Sequence, residues 1–245
     1  KLRYFARESV RRRSRGEYGE IFLRGTSEKD GGVPSVPWLY LRVLALGIII
    51  FSVSVLAYRL THSSIDLLTA ILYGAIPFNA AVLVFFYELY PERDLNIFLL
   101  IFVAFAGGAV ACAGITLGYQ YIYDDPFMQN PWVSLLWTGF WEELIKGAVA
   151  VSAVAILKKK NPFCCFLVGF AVGSGFSFLE DMSYIYSYAR GYGTYWLVLM
   201  PIGRGLSCAF SHAPWTGIIC FAYAKFKRPF LNFRFYGTVL AVMIL

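Results

Sequence analysis

Apolar residues fill most of this chain in long blocks, separated by short polar or charged breaks. Blocks suited to cross a bilayer as helices fall at 38–60, 65–89, 95–119, 132–157, 162–187, 194–225 and 235 onward. A helix needs about 20 apolar residues to span a hydrocarbon core of about 30 Å. A β-barrel would show short alternating segments instead. The pattern therefore predicts an all-α, polytopic transmembrane helical bundle of about seven spans. The block at 194–225 is too long for one straight crossing, and Pro201, Gly203 and Pro214 predict a bent or two-part helix there. Gly107-Gly108, Gly114-x-x-x-Gly118 and Gly169-x-x-x-Gly173 predict points where helix backbones approach closely. No internal repeat of the inverted-transporter kind is visible.

Residues 1–37 precede the first block as a basic, then Gly/Pro-rich leader, and residues 38–245 make up the transmembrane domain. Tyr18, Ile21 and Phe22 suit a helix lying on anionic lipid, with a solvated arm as the equal alternative. The leader is too long and basic for a cleavable signal peptide, and no A-x-A-like site follows the first block. The chain starts at Lys1 and stops at Leu245 inside an apolar block, the pattern expected of an excerpt from a longer protein.

Composition agrees with a membrane protein: 58% of residues are hydrophobic, against about 45–50% in soluble domains. The mean hydropathy is +0.60. The net charge of +7 does not indicate a nucleic-acid partner, because nine of the 22 Lys and Arg lie in residues 1–37 and most others flank apolar blocks. With the amino terminus inside, the cytoplasmic segments carry 17 Lys and Arg; the opposite loops carry only Arg59 and Arg190. That asymmetry predicts an inside amino terminus. The five cysteines show no C-x-x-C spacing and read as packing thiols rather than a disulfide or zinc framework.

Three blocks carry ionisable residues where lipid-facing charge is costly, about 2.5–3.5 kcal/mol each on insertion scales. The fourth reads Phe140-Trp141-Glu142-Glu143-Leu144-Ile145-Lys146. Glu142 and Glu143 stand at i−4 and i−3 to Lys146, so either can pair with it, and 100° separates the two carboxylates on a helix. One glutamate is thus expected to hold Lys146 while the other faces a cavity. In the fifth, Gly169, Gly173, Ser177 and Glu180 share one face, and Asp181 lies off it as a supporting or interfacial group. In the sixth, Arg204, Cys208, His212 and Thr216 follow at i+4 steps, and Pro214 predicts a kink beside His212. Counted from the block ends, Glu142 lies about 15 Å deep, and Glu180 and His212 about 10 Å, all in the outer half.

Glutamates and a histidine in an enclosed, wet pocket are equipped to activate water, with Arg204 as a further positive charge for a developing oxyanion. No G-x-S-x-G elbow and no H-E-x-x-H motif is present. Glu142, Glu180 and His212 could ligate one Zn²⁺ with a water, but two carboxylates and one imidazole are a less usual zinc set. A metal-independent glutamate mechanism without cofactor is the favoured reading.

Together, Glu142-Glu143-x-x-Lys146, Phe176-x-x-x-Glu180 and His212 within Arg204–Gly217 resemble the PrsW family of intramembrane proteases, relatives of the CAAX- and bacteriocin-processing endopeptidases. The resemblance spans about residues 38–227. CAAX-type relatives carry His in place of Glu180, and Asn or Asp where this chain has Thr216. The resemblance implies a multi-pass cell-membrane endopeptidase acting on a membrane-anchored protein, specifically an anti-sigma factor cut on its extracytoplasmic side. It also implies Glu142 as general base, with Glu143 and Lys146 in support and Glu180 and His212 completing the water site. The rival readings are a non-catalytic membrane scaffold, since the wider superfamily includes the γ-secretase scaffold subunit, and a proton-coupled transporter.

Overall fold

A computed structural model describes residues 39–90, 95–122, 126–226 and 229–244. The basic leader and loop residues 91–94, 123–125 and 227–228 lie outside these described residues. Within them every regular element is helical and there is no strand. The α-helices are α1 (Leu39–Thr61), α2 (Ser64–Leu89), α3 (Ile97–Ile122), α4 (Pro131–Ile156), α5 (Pro162–Tyr192), α6 (Thr194–Phe210), α7 (His212–Lys225) and α8 (Phe233–Ile244). Four are long and apolar enough to cross a membrane: α1, α2, α3 over Ile97–Gln120, and α5. At 26 residues α4 has the length, but Glu142, Glu143 and Lys146 occupy its middle.

Local chemistry sets the helix ends. Ser63 caps α2 by accepting from the Ile65 amide, Asn130 caps α4 ahead of Pro131, and the Asn161 side chain accepts from the Phe163 and Cys164 amides ahead of α5. The carboxyl end of α4 closes as a Schellman motif. Lys158 stands in the left-handed region at φ 53°, its amide bonds Ala155 O, and the Lys159 amide bonds Val154 O. The apolar block of α5 was expected to end near residue 187, but the helix continues to Tyr192. Nothing breaks it until Gly193, whose φ of 92° favours glycine.

The 194–225 block is two-part, one of the two forms expected of it, and the division falls at Ser211 rather than at a kink beside Pro214. α6 ends at Phe210, Ser211 takes φ −120° and ψ −100°, and α7 starts at His212. Pro214 sits in the first turn of α7, where its missing N–H has no intrahelical partner to lose. The inferred i+4 row is therefore divided, with Arg204 on α6 and His212 and Thr216 on α7.

The described residues form two compact units: those of 39–100 with Glu180–Ala209, and those of Ile101–Leu179 with 210–244. In the first, α1 packs on α2, and Gly47 leaves room for Pro77. Tyr87, fully buried, donates to Leu95 O at 3.0 Å. In the second, a side chain at Gly175 would run into the Ala104 backbone, and one at Gly108 into the Gly175 backbone, so α3 and α5 touch main chain to main chain. Gly169 and Gly173 likewise lie against α7, at Thr216, Cys220 and Ala213. α8 packs on α4 and α7, joining Phe235 and Val242 to Ile219 and Ala222.

Candidate active site

The buried stripe of α4 is Glu142, Glu143, Lys146, Gly147, Ala150 and Val154, whereas Trp132, Leu135, Leu136 and Ile156 are exposed. Polar groups inside and apolar groups outside is the arrangement that lipid demands of a helix carrying charge. Lys146 is wholly buried. Its ammonium lies 2.5 Å from Glu143 Oε1, 3.8 Å from Glu142 Oε2 and 2.6 Å from His212 Nδ1. Beneath it is the Phe176 ring, 4.4 Å away at the centroid. Glu143 Oε1 also lies 3.2 Å from His212 Nδ1. Three helices of one unit thus converge on a single cation.

Within this cluster the two adjacent glutamates differ. Glu143 is tied to Lys146 and His212 through Oε1, while its buried Oε2 has no hydrogen-bond partner among the described residues. Glu142 is farther from the ammonium, and its Oε1 accepts from the Tyr119 hydroxyl of α3 at 2.6 Å. The His212 ring is oriented by edge contacts with Phe176 and Trp215, at centroid distances of 5.7 and 6.1 Å. Thr216 donates its hydroxyl to His212 O at 2.8 Å and so spends it on its own helix.

Glu180 and Arg204 belong to the other unit, where they form a second cluster. The Arg204 guanidinium donates through Nη2 to Glu180 Oε2 and through Nε to Asp181 Oδ1, the latter at 2.8 Å. It also lies over the Tyr184 ring at 4.3 Å. The Asn79 amide of α2 donates to Asp181 Oδ2 and to Ala75 O, each at 3.1 Å. Asp181 had been expected at the interface or in a supporting role; it is 1% exposed and pinned by an arginine and an amide. Burial here depends on those partners.

Two residues in these clusters, Tyr119 and Asn79, are not signalled by periodicity. Tyr119 looks like one more aromatic in an aromatic-rich helix. Asn79 is a lone amide in the middle of an apolar helix, costly unless paired, and that cost is the signal by which it can be found.

A family model described as PrsW family intramembrane metalloprotease matches residues 96–244, which include every residue of both clusters except Asn79. No curated relative and no solved structure matches the chain.

Proposed function

We propose, from the premise that this chain belongs to the PrsW family of intramembrane proteases, that it hydrolyses a peptide bond in a membrane-anchored protein by a glutamate-driven mechanism. The observation that carries the reading is the cluster of buried Glu142, Glu143 and Lys146 on α4 with half-buried His212 on α7. Glu142 is the general base. Tyr119 holds its Oε1, which leaves Oε2 as the oxygen that takes a proton from water while the water oxygen adds to the scissile carbonyl carbon. His212 donates to the tetrahedral oxyanion. Glu142 then returns the proton to the amide nitrogen as the C–N bond breaks, releasing a carboxylate and an amine. Glu143 and Lys146 support this arrangement. Glu180, one helical turn beyond Phe176 on the unbroken α5, completes the water site, with Arg204 restraining its carboxylate.

The family description names a metal, and by donor type Glu142, Glu180 and His212 could hold one. His212 Nδ1 already lies 2.6 Å from Lys146 Nζ and 3.2 Å from Glu143 Oε1, so an ion would compete with this polar network for the imidazole. We therefore read the reaction as metal-independent. The substrate class, taken from the family resemblance, is an anti-sigma factor cut near the extracytoplasmic face as the first cleavage of a signalling cascade. Seven spans in the cell membrane with an inside amino terminus suit that site, on the strength of the Lys and Arg asymmetry.

The test is cleavage of a single-span anti-sigma substrate by the full chain in liposomes. Glu142→Gln should lower kcat/KM by at least about 100-fold, the usual share of a general base. Chelation should leave the wild-type rate unchanged. Unaltered cleavage by Glu142→Gln defeats the mechanism, and loss of cleavage on chelation, restored by Zn²⁺, defeats the metal-independent reading.

A further inference from the structure

We propose that the end of the second unit where α4 and α7 finish binds anionic phospholipid headgroups through Lys158, Lys160, Lys225 and Arg234, with Phe230, Leu231 and Phe233 set among the acyl chains. The inference goes beyond the hydrolase reading and does not depend on it. Gly147 of α4 lies against Ile219 of α7, and Val151, one turn on, joins the cluster of Ile219, Ala222 and Phe235. The two helices therefore run parallel and end together, with the start of α8 beside them. Their last turns lead into Lys158-Lys159-Lys160 and Lys225, and Arg234 stands in the first turn of α8. Lys158, Lys160, Lys225 and Arg234 are all exposed.

Residues 144–179 and 210–245 contain eight Lys and Arg and no Asp or Glu. Of the eight, Lys146 is held by the α4 glutamates, and Glu143 lies about 22 Å along that helix from Lys158. Cations at a helix carboxyl end offset its dipole, which accounts for the lysines but not for Arg234, in a first turn where a cation is unfavourable. Lys158 holds a φ of 53° at a position where glycine is the usual residue. Lys225 and Arg234 rest over aromatic rings, those of Phe221 and Phe233. Between α7 and α8, Pro229–Leu231 forms a 3-10 turn, tied to α8 by the Tyr236 hydroxyl donating to Phe230 O at 3.0 Å. That turn and the start of α8 leave Phe230 58%, Leu231 81% and Phe233 80% exposed. A free phosphate or an acidic protein loop would answer the cations alone. An anionic lipid answers both, with phosphate oxygens for the Lys and Arg donors and acyl chains for the apolar side chains.

The full chain in a neutral detergent, titrated with phosphatidylglycerol or phosphatidylcholine, reports binding through its melting temperature. Phosphatidylglycerol should raise it at lower concentration than phosphatidylcholine, and high salt should narrow the difference. Lys225→Gln combined with Arg234→Gln should move the phosphatidylglycerol midpoint upward about 25-fold, about fivefold for each cation, and leave the phosphatidylcholine titration as it was. Arg12→Gln combined with Arg13→Gln, in the basic leader, should leave both midpoints in place. Glycerol phosphate, a headgroup without chains, should not substitute. Equal midpoints for the two lipids on the wild-type chain overturn the proposal, as does an unmoved midpoint in the Lys225/Arg234 variant. The same shift in the leader variant gives the effect to net charge, and substitution by glycerol phosphate gives it to a free anion; either result also overturns it. The wild-type titrations decide even if the Lys225/Arg234 variant fails to fold. No cleavage is read, so a chain that binds phosphatidylglycerol at this end and cleaves nothing leaves the lipid site standing and the hydrolase reading wrong.

Discussion

The side chain most informative about the chemistry is Tyr119. A phenol donating at 2.6 Å to Oε1 of Glu142 holds that oxygen, and in the proposed mechanism the proton goes to the other, 3.8 Å from Lys146 Nζ. Tyr119→Phe removes the hydroxyl and little else. A hydrogen bond to a charged group is worth about 1.5–3 kcal/mol, so kcat/KM should fall by about 10- to 100-fold, mainly in kcat, with substrate affinity retained. A change confined to KM would place Tyr119 in substrate binding instead. At this scale the sequence was partly legible. The charged triplet of α4 is visible because charge in an apolar block is rare, and the i−3 and i−4 offsets limit which pairs can form. The preference of Lys146 for Glu143 over Glu142, and its reach to His212, depend on contacts between helices that no local offset encodes.

Helix positions followed from hydropathy to within a few residues at most ends, because lipid allows little else between caps. The departures have local causes. α5 outruns its apolar block because Tyr188, Ala189 and Arg190 continue a helix readily and glycine first breaks the geometry at Gly193. The 194–225 segment divides at Ser211 rather than bending at Pro214, since proline is tolerated in a first helical turn. The element with the least expected part is α2. It lies outside the segment matched to the family, yet its Asn79 donates to Asp181, the partner of Arg204, which in turn holds Glu180. Asn79→Leu should lower the melting temperature and reduce cleavage. Asn79→Asp should do worse on both measures, because it sets a second carboxylate against Asp181. Equal behaviour of the two variants would mean that the amide merely fills space.

For the whole molecule, the distribution of Lys and Arg gives a topology that direct labelling can check. In a cysteine-free background, Gly191→Cys near the end of α5 should react with a membrane-impermeant maleimide added to intact cells, while Lys159→Cys between α4 and α5 should react only after permeabilisation. The reverse pattern inverts the orientation and moves the proposed chemistry to the cytoplasmic side. The length of α5 adds a mechanical consequence. Its 31 residues extend about 46 Å, well beyond a hydrocarbon core of about 30 Å. Its last turns are rich in tyrosine, and Arg190 bonds the Tyr186 hydroxyl at 2.7 Å. Tyrosines settle at the headgroups, so the helix hangs from that level like a plumb line, with Glu180 about 12 Å below Tyr188. In a thicker bilayer, such a suspended carboxylate keeps its distance from the headgroups at the tyrosine end and changes its distance from those at the other. If Glu180 serves the proposed water site, the bond cut is then registered against the membrane surface at the tyrosine end, whatever the length of the substrate's own span.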